Sequence, residues 1–244
     1  MSNKILFLDF DGVLFDTMQE VYLINRYVYN NTDIKSPVDK KNYTLYSKYK
    51  YLVYNIWMFY YYNPLIFNEV IEKEIPERFN NLIKNRNKML EERFCREFLE
   101  ARYQLVNNHF EFWKNLEIPY DFFYGIKKLY ENINPEIVIV SKKNKNSIFE
   151  RFQTYDFNLN KDKIFAREIL DNYSSKGDFI KEYMLKNNFD SAIFVDDNIN
   201  NLNSTRNNPK IKNILALWGN TEPNSQGFSQ KEALDLINNY FISK

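Results

Sequence analysis

In the second half of the chain, unbroken apolar runs alternate with segments of helical periodicity. A further apolar run lies near the start of the chain. Residues 5–8, 136–140 and 191–195 are almost wholly apolar, the pattern of strands buried on both faces of a sheet. Shorter strands are predicted at 163–166 and 213–218. Helical spacing predicts the helices between them, at 122–133, 146–155, 176–187, 200–207 and 230–241. Strands that alternate with helices in this way predict an α/β fold with a doubly wound parallel sheet.

The segment between the first strand and this alternating region has a different pattern. Residues 17–119 contain no glycine, and their apolar residues recur at helical spacing, as at Val21, Ile24 and Val28. Prolines 37, 64, 76 and 119 are expected helix boundaries. The pattern predicts an all-helical domain of residues 17–119, inserted into an α/β core formed by residues 1–16 and 120–244.

Composition narrows the class of protein. The 33 basic residues nearly cancel the 32 acidic ones, which counts against a nucleic-acid or membrane partner. Cys95 is the only cysteine, so no disulfide forms within the chain and a reducing compartment fits. The first residues do not have the pattern of a secretory signal, and the longest aromatic-apolar cluster, residues 56–62, is too short to span a bilayer. We therefore expect a cytoplasmic protein.

Two carboxylates end the first strand. Asp9 and Asp11 stand two residues apart, so strand geometry directs both toward the same region. Paired carboxylates repel unless a cation or a shared proton intervenes, which indicates a site for a hard metal with oxygen ligands. Gly12 lets the backbone leave the strand steeply and approach a ligand closely. The alternative is a solvated strand-to-turn boundary, where Asp and Gly are ordinary.

Two further stretches carry polar groups that suit the same chemistry. Ser141 follows the strand at 136–140, where its hydroxyl could donate to a phosphoryl oxygen. Ser175 and Asp178 have the spacing of a capping box, which would set Lys176 at the first helical position. A lysine there opposes the helix dipole, and anion binding would offset that penalty. A solvated lysine is the alternative.

A second acidic pair, Asp196-Asp197, follows the strand at 191–195 and could complete the metal shell begun by Asp9. In this order the motifs resemble the haloacid dehalogenase superfamily of phosphohydrolases. That family is marked by Asp-x-Asp-Gly-x, then Ser or Thr after a strand, then Lys, then a late acidic pair. The resemblance covers the α/β core, and the insertion point resembles that of family members with a helical cap.

The resemblance implies the roles of the four acids. Asp9 would attack phosphorus and form an aspartyl-phosphate, and Asp11 would protonate the leaving oxygen and then deprotonate the attacking water. Mg²⁺ would lie between Asp9, the backbone carbonyl of Asp11 and Asp197. Asp196 would be the second acid of the late motif, and whether it binds the metal directly or through water stays open.

The resemblance also implies how the phosphoryl group is held. Ser141 and Lys176 would bind its oxygens, together with the backbone at Gly12, and Lys176 would offset negative charge near Asp9. The sequence departs from the family at one place: many relatives carry a third acid a few residues after the late motif, where Asn200 and Asn201 stand here.

We therefore expect a Mg²⁺-dependent phosphomonoester hydrolase that acts on a small phosphorylated metabolite such as a sugar phosphate or nucleotide. Three alternatives remain open. A phosphomutase would need a bisphosphate activator and a second phosphate site. A nucleic-acid end phosphatase fits poorly with the neutral net charge and the lack of a basic stripe. A non-catalytic module that binds a protein partner should have lost Asp9 or Asp11. The oligomeric state is open.

The predicted helical domain has two unusual groups of side chains. Its aromatic residues would line a substrate pocket or, as we favour, pack the core of this domain and its interface with the α/β core, with tyrosine hydroxyls that reach water. Its arginines would bind a second anion or, as we favour, pair with glutamates on a solvated helix face. We expect His109 and Cys95 to be structural. The aromatic residues are Tyr43, Tyr46, Tyr49, Tyr51, Tyr54, Trp57, Phe59, Tyr60, Tyr61 and Tyr62, and the arginines are Arg86, Arg93, Arg96 and Arg102, near Glu91, Glu92, Glu97 and Glu100.

Overall fold

Strands and helices alternate in the second half of the chain, after a long helical segment. The computed structural model describes residues 3–68 and 70–242. The strands are β1 (Lys4–Leu8), β2 (Phe15–Asp16), β3 (Ile118–Pro119), β4 (Glu136–Val140), β5 (Ile164–Phe165), β6 (Ser191–Asp196) and β7 (Ile211–Leu215). The α-helices are α1 (Met18–Asn30), α2 (Lys40–Tyr49), α3 (Phe59–Phe67), α4 (Ile75–Lys84), α5 (Lys88–Asn108), α6 (Phe110–Trp113), α7 (Asp121–Ile133), α8 (Lys145–Thr154), α9 (Arg167–Leu170), α10 (Lys176–Lys186), α11 (Ile199–Asn203) and α12 (Gln230–Ile242). Short 3₁₀ turns lie at Lys50–Leu52, Ile56–Met58, Glu72–Glu74 and Lys161–Lys163.

Five of the strands form one sheet, in the order β5-β4-β1-β6-β7. Every pairing in it is parallel, and β1 lies at the centre between β4 and β6. The apolar run at residues 5–8 is completely buried, as a strand covered on both faces requires. The predicted α/β fold with a parallel sheet is confirmed.

Helices cover both faces of this sheet. Successive residues of β1 point to opposite faces, so Leu6 and Leu8 belong to one buried cluster while Ile5 and Phe7 belong to another. The first cluster is completed by side chains of α7, α8 and α12, and the second by side chains of α10 and α11. This two-sided burial is what makes the sheet doubly wound.

Several element boundaries differ from those predicted. The last strand is Ile211–Leu215 rather than 213–218, because the chain turns after Ala216, whose carbonyl accepts from the Gly219 N–H. Helix α11 ends at Asn203 rather than near 207. The hydroxyls of Ser204 and Thr205 donate to the carbonyls of Asn201 and Leu202, and such side-chain bonds compete with the helix.

The chain divides into two compact units, Met1–Asp16 with Ile118–Lys244, and Thr17–Glu117. The second boundary lies two residues before the predicted one. The reason is that β3 (Ile118–Pro119) pairs antiparallel with β2 (Phe15–Asp16), which keeps both strands in the α/β unit. These two-residue strands have no periodicity that sequence analysis could detect.

The helical unit, α1 to α6, has a core of its own. Much of its aromatic cluster is packed there, with Tyr46, Tyr62 and Phe59 buried, as we favoured on sequence grounds. Tyr54 is an exception, at 47% exposed. Cys95 is only half-buried. The backbone N–H of His109 donates to the carbonyl of Leu105, and α5 ends there.

Three of the four arginines, Arg86, Arg93 and Arg102, form ion pairs, as expected, but one pairing differs; Arg96 is exposed. Arg86 and Arg93 pair with the glutamates five and four residues further on, at 2.6 and 2.8 Å. Arg102 instead binds both carboxylate oxygens of Glu20 at 2.9 Å, and Glu20 is completely buried. Trp113 Nε1 also donates to Glu20, at 3.3 Å. This pair is therefore part of the core that joins α1 to α5.

In the described part of the chain, no helix is both long enough and apolar enough to cross a membrane.

We predict that Arg102→Met destabilises the protein strongly, because it leaves the Glu20 carboxylate buried without its guanidinium. The expected loss in free energy of unfolding is about 3–5 kcal/mol, measured by denaturant titration. Arg93→Met is the matched control: its ion pair with Glu97 is solvent-exposed, so stability should hardly change. Equal effects of the two substitutions would contradict a structural role for the buried pair.

Candidate active site

Polar residues gather where β1, β4 and β6 end. Asp9 follows β1, Ser141 follows β4, Asp196 ends β6 and Asp197 comes next. Because these three strands are parallel neighbours, their carboxyl ends lie at one edge of the sheet. This edge is where ligands bind in open α/β sheets.

Asp9 is buried and tightly held. Its backbone N–H continues the sheet by donating to Val195 at 3.0 Å. Its Oδ1 accepts from the Phe10 N–H at 2.7 Å, and its Oδ2 lies 2.8 Å from Lys176 Nζ. Both carboxylate oxygens are therefore fixed in direction.

Lys176 reaches this position from the first turn of α10. The Ser175 hydroxyl accepts from the Asp178 N–H at 3.1 Å, so the predicted cap is confirmed and Lys176 is the first helical residue. Its side chain is buried, which excludes the solvated alternative. Its ammonium lies 2.8 Å from Asp9 and 2.8 Å from Asp196.

The carboxylate of Asp196 is surrounded by protein donors. Its Oδ1 accepts from the Asn198 N–H at 2.8 Å, and Asn201 Nδ2 donates to both oxygens at 3.0 Å. Its Oδ2 also accepts from Lys176. Asn201, which stands near the third acid of many relatives, thus orients this carboxylate. Sequence reasoning missed that role, since an asparagine in a short polar helix carries no signal of its own.

Asp197 lies against two glycines that allow close packing. Gly12 has a φ of +79°, and a Cβ there would lie 2.0 Å from Asp197 Oδ2. A Cβ on Gly219 would lie 2.3 Å from the carbonyl oxygen of Gly12. The Asn220 N–H donates to Asp197 Oδ2 at 2.7 Å. Sequence analysis did not predict the contribution of Gly219 and Asn220, which depends on how the chain turns after β7.

Three of these acids are arranged as a cation site would require. Asp9, Asp196 and Asp197 are buried, and each offers a carboxylate oxygen within 4.8 Å of the others. Oxygen ligands of this kind suit Mg²⁺. The donor set therefore fits the metal that the sequence implied.

The charges of the site also favour a cation. Burial raises the pKa of Asp9 to about 8; Lys176 opposes that shift, and Asp196 and Asp197 add to it. Burial would lower the pKa of Lys176, but the carboxylates of Asp196 and Asp9 hold it above its usual value. The Lys176 ammonium thus contacts two of the three acids of this cluster, and a divalent cation would relieve the remaining repulsion.

Ser141 and Asp11 are connected by a residue that sequence analysis missed, Lys143. The buried Ser141 Oγ accepts from the Lys143 N–H at 3.3 Å. The Lys143 ammonium lies 3.4 Å from Asp11 Oδ1. Asp11 is the most open acid of the site, with about a third of its side chain exposed (32%). Nothing in the motif Ser-Lys-Lys-Asn marks which lysine turns inward.

We predict that Asp9→Asn stabilises the metal-free protein at pH 8. With its pKa raised from 3.8 to about 8, Asp9 contributes stability that is present below pH 3.8 and lost as the pH rises through 8. The expected gain is at least about 1 kcal/mol, the equivalent of one pKa unit. Thermal and denaturant unfolding in EDTA from pH 4 to 8 measures it.

The gain should grow with pH and vanish toward pH 4, where the native carboxyl is already protonated. Asp235→Asn, which removes an exposed carboxylate on α12, is the control and should show no such trend. A loss of stability in Asp9→Asn at pH 8 would contradict the unfavourable burial of the Asp9 carboxylate described here.

Comparisons with known proteins agree on one fold. No protein-family model matches the sequence, and no curated protein matches it significantly. Among solved structures, a haloacid dehalogenase-like family hydrolase from Streptococcus pneumoniae is similar, with a TM-score of 0.55, 14% identity and coverage of 96% of this chain and 97% of the other. A protein described as a predicted phosphatase from Clostridium acetobutylicum is similar at a TM-score of 0.58, 15% identity and coverage of 98% and 99%. A hydrolase from Pseudomonas syringae gives a TM-score of 0.59, 13% identity and coverage of 96% and 98%. The chain therefore shares the haloacid dehalogenase-like fold of these proteins over nearly all of its length.

Proposed function

We propose that this protein is a Mg²⁺-dependent phosphomonoester hydrolase that works through an aspartyl-phosphate. The observation that carries the proposal is the buried carboxylate of Asp9, held at 2.8 Å by Lys176 and beside a second acid pair. A carboxylate so fixed is suited to attack rather than to solvation. The hydrolases and phosphatases that share this fold support the same reaction class.

Asp9 and Asp197 would hold the metal, together with the backbone carbonyl of Asp11. Asp196 would act mainly through Lys176, because its two oxygens already accept hydrogen bonds from Asn201 and Lys176. When bound, Mg²⁺ would stabilise negative charge on the phosphoryl oxygens.

The chain's own residues would carry the two chemical steps. An Asp9 oxygen forms a bond to phosphorus while the bond from phosphorus to the ester oxygen breaks. The ester oxygen takes a proton from Asp11 and leaves as an alcohol. Water then attacks the phosphorus of the acyl phosphate and gives a proton to Asp11, while the bond from phosphorus to the Asp9 oxygen breaks. This step releases phosphate and leaves Asp9 as a carboxylate and Asp11 as the protonated acid.

Two side chains and one backbone turn would hold the phosphoryl group. Lys176 and the hydroxyl of Ser141 would bind its oxygens, and the glycine at position 12 would let the backbone approach it closely. As charge gathers on these oxygens in the transition state, the ammonium would stabilise it in a water-poor site. The substrate would be a small phosphorylated metabolite, because the near-neutral net charge offers no field for a polyanion.

We predict phosphate release that requires both Mg²⁺ and Asp9. A panel of sugar phosphates, nucleotides, phospho-acids and phosphorylated oligonucleotides is incubated with Mg²⁺ or with EDTA. Asp9→Asn should lower turnover at least about 10³-fold, with the fold intact by circular dichroism. Substantial release by Asp9→Asn would show that the nucleophile is misassigned. If the native protein releases phosphate from no substrate of the panel, that result would favour a phosphomutase or a binding module.

We also predict that Asp197→Asn and Asp196→Asn differ in kind. Asp197→Asn should raise the Mg²⁺ concentration for half-maximal activity by about 10- to 100-fold, because it removes a direct ligand. Asp196→Asn should chiefly lower kcat, since it loosens Lys176. Magnesium titrations of activity and of binding heat distinguish the two variants, and the opposite order would reverse the ligand assignment.

A further inference from the structure

Lys143 is buried beside the one acid of the site that faces solvent. It lies in the turn between β4 and α8, where lysines usually extend into water. Its side chain is completely buried (0% exposed), while the side chain of Asp11 is partly open. The adjacent residue in the same turn, Lys142, is exposed.

The buried ammonium is directed at Asp11. Its Nζ lies 3.4 Å from Asp11 Oδ1 and 5.6 Å from the centre of the Phe10 ring. Removing an ammonium from water costs free energy unless the ammonium is paired with an acidic group. The contact with the Asp11 carboxyl offsets that cost. The Lys143 backbone is held as well, because its N–H donates to Ser141.

We propose that Lys143 is a positioning residue for proton transfer: it holds the carboxyl of Asp11 toward the ester oxygen of the substrate. The inference rests on the proposed function, in which Asp11 is the general acid. As the bond from phosphorus to the ester oxygen breaks, the proton passes from Asp11 to that oxygen and leaves a carboxylate behind. The nearby ammonium stabilises this developing negative charge.

This role predicts an effect that depends on the leaving group. Phenolate leaves poorly without a proton, whereas nitrophenolate is a much weaker base and leaves without one. Phenyl phosphate and p-nitrophenyl phosphate have similar shapes and differ mainly in this property. The value of kcat/KM for each reports the steps up to phosphoryl transfer to Asp9, and so excludes the later attack of water.

The experiment compares kcat/KM of the native enzyme and Lys143→Met, with Mg²⁺, on the two aryl phosphates. We expect Lys143→Met to lower kcat/KM by about 10- to 100-fold for phenyl phosphate and by less than about 3-fold for p-nitrophenyl phosphate. Lys143→Arg keeps the charge, so its ratio of kcat/KM for the two substrates should lie close to that of the native enzyme. Lys145→Met, the matched control at the start of α8 two residues further along the chain, should leave that ratio unchanged.

Equal losses on the two substrates would overturn the inference while leaving the proposed function intact, because a merely structural lysine cannot distinguish leaving groups. If the native enzyme releases phosphate neither from these two esters nor from any substrate of the panel described above, the proposed function is overturned and the inference with it. If Lys143→Met does not fold by circular dichroism, Lys143→Gln provides the same comparison, and an unchanged substrate ratio in that variant would again overturn the role of Lys143.

Discussion

One buried ammonium holds the candidate site together. Lys176 lies between Asp9 and Asp196, 2.8 Å from each, in a pocket where none of the three is solvated. Two carboxylates on neighbouring strands would otherwise repel each other across the sheet edge. The lysine can reach them because α10 begins at this edge, where Ser175 caps its first turn. The helix start, the strand ends and the chemistry are therefore parts of one arrangement.

The same arrangement brings acidic side chains close together in the interior. A third acid, Asp197, offers a carboxylate oxygen within 4.8 Å of those of Asp9 and Asp196, in a buried space. Burial is the main reason that the pKa of Asp9 rises to about 8, and the charges of Asp196 and Asp197 add to that shift. Close backbone contact at Gly12 and Gly219 keeps Asp197 from moving away. A protein selected only for stability would not keep such a cluster, which is why it indicates function.

Much of the core fold could be predicted from sequence, because its central strands are continuous apolar runs. The apolar runs at residues 5–8 and 136–140 predict buried strands. Asp9 and Ser141 directly follow these runs and were therefore expected at the ends of the two strands. The short pair β2–β3 could not be predicted, since two residues carry no period. The end of β7 was placed too late, because the run through Trp218 remains apolar after pairing ends.

The candidate site was predictable only where chemistry and position coincide. Asp9, Lys176 and Asp197 stand at strand or helix ends in residue types that suit phosphoryl transfer. Lys143 was missed because its identity matches that of Lys142, and only the path of the turn decides which one is buried. Asn201 was missed for a related reason: its amide acts by orienting Asp196, and no local pattern records that contact.

In the helical unit, by contrast, the unusual aromatic residues mostly pack the core and do not mark a site. Its tyrosines fill a core, and the pair of Glu20 with Arg102 ties α1 to α5 across that core. Crowded aromatic residues alone therefore give no evidence of a ligand. The functional argument depends on the sheet edge, where polar groups are buried for no evident structural gain.

The most direct measurement is the mass of the peptide that contains Asp9 after turnover is quenched in acid. The native enzyme is mixed with its best phosphoester and Mg²⁺, quenched within one turnover, digested and analysed by mass spectrometry. A gain equal to one phosphoryl group on Asp9 is the expected result, because the attacking carboxylate carries the group between the two steps. Steady hydrolysis with no phosphoryl group on Asp9, or with the group on another residue, would contradict the proposed mechanism.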